Sequence, residues 1–400
     1  MMVRIGREDS VDICDDTVRM VLNFYPEEEL IHRPFFKKSF RLGTVSYKNL
    51  LRECELVHIP WQMFFLTKNN LNYQLNHIKK IRKYKFSKKF FTKRKGVGEK
   101  TSTRIIDRLI RLQNFIVETS DFPKNEFCGS LKGKNKYQSI KFIIDFFRID
   151  HNKIYSKTKD NTLNYLIEKI EAKNINVSRG VFKGGILPEV NNINGVYKNT
   201  SGFVIKDEYI PFLFLPDKVN PEEVSGRRIY TLMYLLTCIG LDDYDFYIES
   251  DFKASALKKD CIDSLKHDIV AGVLLPEEET EKLKGEIITS DDVFNLSESY
   301  KITPTATVVI LRRRNIITKE QYESLLPDPY IPSNNLREEI TLKKPAKIIN
   351  SVKKFCGTIA SESINKAIKE NKLNNIEIQY LIFGRVRKKE YKEYCSQIKI

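Results

Sequence analysis

Ile210-Pro211-Phe212-Leu213-Phe214-Leu215-Pro216 is followed by Gly226-Arg227-Arg228-Ile229-Tyr230-Thr231-Leu232-Met233-Tyr234-Leu235-Leu236-Thr237-Cys238, and then by Asp268-Ile269-Val270-Ala271-Gly272-Val273-Leu274-Leu275-Pro276. The first run is apolar, rich in aromatic side chains and bounded by prolines, which predicts a short buried strand. The second carries apolar side chains on every face, so it predicts a helix over 227–241 that is buried all round. The third predicts a helix over 258–273 that closes before Pro276.

Working outward, Val181–Leu187, Gly195–Tyr197, Gly202–Ile205 and Tyr209–Leu215 are short β-branched and aromatic segments punctuated by Gly and Asn. Together they read as a small sheet. Upstream, 18–66 reads as largely helical, with Val45, Tyr47, Leu50, Leu51, Cys54 and Leu56 in an apolar stripe. Helices are also expected over Thr103–Glu118, Phe142–Ile149 and Asn161–Ala172. Downstream, Asp291–Tyr300 and Thr303–Arg314 flank Ile302-Thr303-Pro304 in a helix-turn-helix-like cadence. The end, 346–400, reads as one or two helices with a Lys/Arg-rich finish. The expected fold class is α+β. The expected segments are 1–75 (N-terminal helical), 76–120 (basic linker and amphipathic helix), 121–290 (α+β domain), 291–330 (helix-turn-helix-like module) and 331–400 (basic helical tail).

Composition narrows the class. Of 400 residues, 41% are hydrophobic and 30% charged, which is globular and not disordered. Sixty-eight Lys and Arg against 52 Asp and Glu leave a formal charge of +16, which suits polyanionic or acidic partners but says nothing about fold. The longest apolar run, Leu232–Leu241, is about half of what a membrane-spanning helix needs. Met1 to Asp16 carries Glu8, Asp9, Asp12, Asp15 and Asp16 and no apolar stretch, so no signal peptide is expected. Seven widely spaced cysteines never form CxxC, which suits reduced thiols and predicts a cytoplasmic protein.

One segment is strongly one-sided. Lys79, Lys80, Arg82, Lys83, Lys85, Lys88, Lys89, Lys93, Arg94, Lys95, Lys100 and Arg104 face only Glu99, with Tyr84, Phe86, Phe90 and Phe91 interleaved. Such a pattern can neutralise phosphates and stack on bases. It can equally be a solvated basic loop anchored by its aromatics. Two stretches that look like phosphate loops fail. Gly96–Ser102 has Glu99 where a Walker glycine must precede the lysine, and Gly129–Lys134 lacks both the hydroxyl residue and the preceding strand.

In order and spacing, the strand, the two apolar helices and the closing helix pair resemble the ImmA/IrrE family of metallopeptidase-like proteins. That family has an "I-P-hydrophobic" strand, an "R-x-F-T-L-A-H-E-L-G-H" helix and an "A-N-x-F-A-x-x-L-L-x-P" helix, followed by a helical module. Ile59–Leu66 is similar to the "I-P-x-x-x-F-L" phrase of its longer members. The resemblance covers Ser46 to Leu326. It implies a zincin-like sheet with an apolar "active-site" helix, and partners such as helix-turn-helix repressors of mobile elements.

The departures from that pattern remove its chemistry. Tyr234 and Cys238 stand at the two histidine positions, and Leu235 at the glutamate that would activate water. The third ligand falls near Asp263. The resemblance therefore implies a pseudoenzyme with no cofactor and no metal, holding a repressor- or toxin/antitoxin-like protein partner in a mobile-element or stress/defence system. A groove beside a sheet edge could bind that partner by strand addition. Two alternatives stay open. One is a nucleic-acid-binding regulator using the Lys79–Arg104 stretch and Arg312, Arg313 and Arg314. The other is a peptidase with a rebuilt site from Cys238, Asp263 and His267. The acidic cluster Asp242, Asp243 and Asp245 reads as a solvated helix end.

Overall fold

The computed structural model describes residues 2–4, 9–24, 34–57, 61–72, 75, 97–180, 202–215, 225–243, 261–326, 347–370, 375–383 and 387–398. Met1–Arg104 and Ile105–Ile400 form two compact units, divided inside the segment 76–120. The basic stretch from Lys79 to Lys95 lies outside the described residues.

The first unit contains strands that its sequence does not announce. β1 (Met2–Arg4) pairs antiparallel with β2 (Ser10–Asp12) and parallel with β3 (Thr44–Ser46). The parallel connection runs through α1 (Asp15–Phe24) and α2 (Pro34–Leu42), and α3 (Tyr47–Val57) follows β3 directly. Each strand is three residues long, too short to display a two-residue period. Val45, expected on a helical stripe, lies on β3, while Leu50 and Cys54 of that stripe are buried on α3. A 3₁₀ turn, Trp61–Phe65, closes the core with Met63 and Phe64. Trp61 packs edge-on against Tyr47 and Phe65, at 5.4 and 5.8 Å between ring centroids.

The second unit is built on a three-stranded sheet of order β4-β6-β5, where β4 is Asn176–Arg179, β5 is Phe203–Ile205 and β6 is Phe212–Leu215. β6 lies at the centre, parallel to β4 and antiparallel to β5. Gly202–Ile205 and Tyr209–Leu215 thus contain strands as expected, whereas the expected segments Val181–Leu187 and Gly195–Tyr197 lie outside the described residues. Alternation along each strand separates two faces. Val177, Val204, Leu213 and Leu215 enter the large core. That core also takes residues from α5 (Lys136–Phe147), α6 (His151–Tyr155), α7 (Lys159–Glu171), α8 (Ser225–Leu241) and α9 (Cys261–Leu274).

Asn176, Ser178, Phe203, Ile205, Phe212 and Phe214 lie on the opposite face and are all buried. Phe203 stacks on Phe214 at 4.8 Å. From α4 (Val97–Thr119), the Gln113 Nε2 donates to the Ile210 carbonyl at 2.8 Å.

That second face corrects the expected tail of one or two helices. After α10 (Glu277–Glu281), α11 (Ser290–Ser299), α12 (Pro304–Arg313) and α13 (Lys319–Leu325), the described residues contain four more. They are α14 (Ile348–Cys356), α15 (Thr358–Lys369), α16 (Asn375–Phe383) and α17 (Lys388–Gln397). α14 and α15 dock on β4. Asn176 Nδ2 donates to the Cys356 carbonyl at 2.8 Å, and its Oδ1 accepts from the Ala360 N–H at 3.2 Å. Ser178 Oγ donates to the Phe355 carbonyl, and the Glu171 carboxylate accepts from the Thr358 N–H at 2.8 Å. At Gly357 (φ +85°) a Cβ would collide with the Asn176 side chain, so the α14–α15 corner sits directly on the strand. Over the described residues the architecture is α+β, mostly helical with two small sheets. Among the described residues, no helix is long and apolar enough to cross a membrane.

Candidate functional site

Tyr234 and His267, two of the residues singled out by the sequence, meet where α8 faces α9. α8 forms because its side chains are apolar on nearly every face, and its buried hydroxyls are satisfied locally, as where Thr237 Oγ1 donates to the Met233 carbonyl at 2.9 Å. It starts with Gly226 against α12's entry; a Cβ there would stand 2.7 Å from the Ile302 carbonyl carbon. It ends at Asp242, whose φ of +54° turns the chain.

Tyr234, Leu235 and Cys238 are all buried. Leu235 points at the start of β5, its Cδ1 2.8 Å from where a Cβ on Gly202 would lie. Tyr234 turns towards α9, with its ring 5.0 Å from that of His267. His267 also shares a 2.9 Å hydrogen bond with the Tyr230 hydroxyl through Nδ1. Burial foremost, then the charges of Arg313 and Lys266, push its pKa down to about 3, so the imidazole is neutral at pH 7.

Beside His267 sits a residue that the sequence reading passed over. Lys266 is fully buried, with its Nζ 2.8 Å from an Asp243 carboxylate oxygen and 5.8 Å from the Tyr234 ring centroid. Asp243 follows α8 immediately, and its N–H donates to the Cys238 carbonyl at 3.0 Å. Of the acidic cluster, Asp242 and Asp243 are thus ion-paired at the end of α8, and Asp245 lies outside the described residues. Asp242 bridges Lys132 and Lys206, each at 2.5 Å. Partial burial works to raise its pKa, but the hydrogen bonds from those two lysines outweigh it and hold the carboxyl below its ordinary value.

Next to His267, Asp268 accepts from both Nε and Nη2 of Arg313, at 3.0 and 2.7 Å. Arg314 donates to the Leu275 carbonyl at 2.7 Å and to Thr280 Oγ1 at 2.9 Å, and Arg312 donates to the Ile317 carbonyl at 3.2 Å. Arg312 and Arg314 thus tie the α12 end to neighbouring turns, and Arg313 ties it to α9. A cleft of about 240 Å³ lies over them, lined by Lys136, Tyr137, Asp268, Glu277, Arg313 and Arg314, with Lys136 and Glu277 paired at 2.5 Å.

Between α11 and α12, Thr303 caps α12 by accepting from the Ala306 N–H at 3.1 Å. No residue from Lys301 to Arg314 is exposed, and Ala306 to Leu311 are buried without interruption. A groove-reading helix must present its first turns to solvent. This one packs them into two cores.

The donor set does not fit zinc. A zinc site needs three or four thiolate, imidazole or carboxylate donors converging on one point. Tyr234 brings a phenol, Leu235 brings no donor, and Cys238 brings one thiol. Asp263 lies on the first turn of α9, but its side chain is outside the described residues. Among the described residues, no group of three or more His, Cys, Asp and Glu side chains is placed to hold a metal ion. His267 and Cys238, 4% and 0% exposed, lie inside the core and away from solvent. At the β4-β6-β5 sheet the edges are covered, since β5 is buried at all three residues and β4 at Asn176, Val177 and Ser178.

No family model matches the chain, and no curated protein or solved structure matches it either.

Proposed function

We propose that this chain is a metallopeptidase-like regulatory protein without peptidase activity, similar to the ImmA/IrrE family in the phrasing of β6, α8 and α9. It acts by holding a protein partner, of the repressor or toxin/antitoxin kind, in a mobile-element or stress/defence setting. On this reading the small sheet with α8 is a zincin-like frame, and α11–α12 is a helix-turn-helix-like pair used for packing.

The observation that carries the reading is the interior of the α8–α9 contact. Tyr234, Cys238 and Leu235 fill the motif positions with packed side chains, and His267 is engaged with Tyr230 and Tyr234. An interior of that kind holds two helices together and leaves no open coordination position for a metal-bound water. Function then has to come from the surface.

The test is elemental analysis of the purified protein beside a Cys238→Ser variant, with a pull-down from the native host. Substoichiometric zinc unchanged by the substitution, with a specific protein recovered, is the expected result. One zinc per chain that is lost with Cys238 would sink the reading and put a substrate search first.

A further inference from the structure

We infer that Lys266 supplies, as a fixed ammonium, the positive charge that a metal ion supplies between two helices of this phrasing, and that it keeps metal out. The inference rests on reading α8–α9 as a converted metal site, and it says how the conversion is held in place.

A lysine is almost never fully buried without a compensating anion. Lys266 is 0% exposed and finds its anion in Asp243, at 2.8 Å. The two residues belong to different elements. Lys266 projects from α9, while Asp243 stands at the exit of α8, anchored by its N–H to the Cys238 carbonyl. Their contact is therefore a polar cross-link between the two helices, the task a structural metal performs when ligands from two elements share one ion.

Position makes the replacement specific. The ammonium lies 5.8 Å from the ring of Tyr234, one of the two motif positions. The other, Cys238, is the residue whose carbonyl holds Asp243. On α9 itself, Asp268 is already taken by Arg313 at 2.7 Å, so Asp243 is the carboxylate paired with the ammonium here. A divalent ion in the same interior would face the ammonium at short range in a poorly screened medium. It would also compete with it for the Asp243 carboxylate.

The test restores the missing ligands in the full chain with and without the lysine. Tyr234→His with Cys238→His forms the double variant, and adding Lys266→Ala forms the triple. Zinc is measured by elemental analysis after dialysis, and Tm is read with and without added zinc sulfate. The expected result is no zinc in the double, but about one zinc per chain and a raised Tm in the triple. Stoichiometric uptake by the double overturns the inference and leaves the proposed function standing. No uptake by a triple variant that keeps its helical circular dichroism overturns the inference together with the zincin-like frame it rests on.

If the triple does not fold, a cycle of Lys266→Met and Asp243→Asn decides the cross-link. Each single substitution should lower Tm, and the combination should lower it by clearly less than the sum. Additive losses would overturn the inference.

Discussion

Acid should loosen the α8–α9 interior through His267, and the effect can be sized. The pKa of this imidazole lies near 3 in the folded chain, against an ordinary value of 6.5. Above about pH 6.5 both states hold it neutral, and it contributes no pH dependence. Below that the unfolded chain takes up a proton that the folded chain refuses, so stability falls as pH drops towards about 3. At about pH 4.5, two units below the ordinary value, the loss is ~2.7 kcal/mol.

Other groups titrate in the same range, so the comparison is with His267→Phe. That variant keeps a ring in place but leaves the Tyr230 hydroxyl without its 2.9 Å partner, at a cost of ~1–3 kcal/mol at neutral pH. Its deficit should shrink steadily below pH 6.5 and vanish or reverse near pH 4.5. Native-state hydrogen exchange of the α8 and α9 amides is the suitable assay, because it reports this region's own opening. Trp61, the one tryptophan, lies in the other unit. A wild-type advantage that stays constant from about pH 7.5 to 4.5 would refute the reasoning.

Two further outcomes are expected. Asn176→Ala removes the bonds to the Cys356 carbonyl and the Ala360 N–H and leaves both partners buried, so exchange protection of α14 and α15 should drop by ~3 kcal/mol; Asn164→Ala, which loses an exposed bond to Arg179, should change little. Gly226→Ala places a Cβ against the Ile302 backbone and should cost ~1–3 kcal/mol by urea unfolding; Gly240→Ala places one against the side chains of the buried Leu131 and Phe127, which can shift where a backbone cannot, and should cost less.

The elements that were legible in the sequence are those whose pattern and environment agree. α8 could be read from 227–241 because its continuous apolar surface is in fact buried. α12 could be read from Thr303-Pro304, a cap followed by proline at the first helical position. β4 could not be read. Asn176, Ser178 and Arg179 are poor strand formers, and the reason for the first two is a layer of helices about 180 residues further on. α16 could not be read either: Asn375–Phe383 is apolar without a helical stripe.

Lys266 was missed for a different reason. A lysine between apolar residues reads as a solvated face, and the only signal against that was an aspartate just past the preceding helix, one of three in a cluster. Tyr230 carried no signal at all, since a tyrosine in an apolar helix is ordinary core. That these two helices face each other was legible, whereas the Lys266–Asp243 and Tyr230–His267 contacts between them were not.

The α14–α15 corner has a consequence for how the chain comes off the ribosome. Asn176, Ser178 and Glu171 find their partners 177 to 187 residues later, and Arg108 donates to the Ile382 carbonyl across 274 positions. During synthesis, β4 is made long before the groups that satisfy it exist. At ~5–20 residues per second, its buried polar face waits ~10–40 seconds for completion. Contacts this distant also slow folding after release. The second unit is thus the part of this chain most dependent on protection while it is being made, and a premature stop before 355 would leave Asn176 and Ser178 of β4 without the groups that satisfy them.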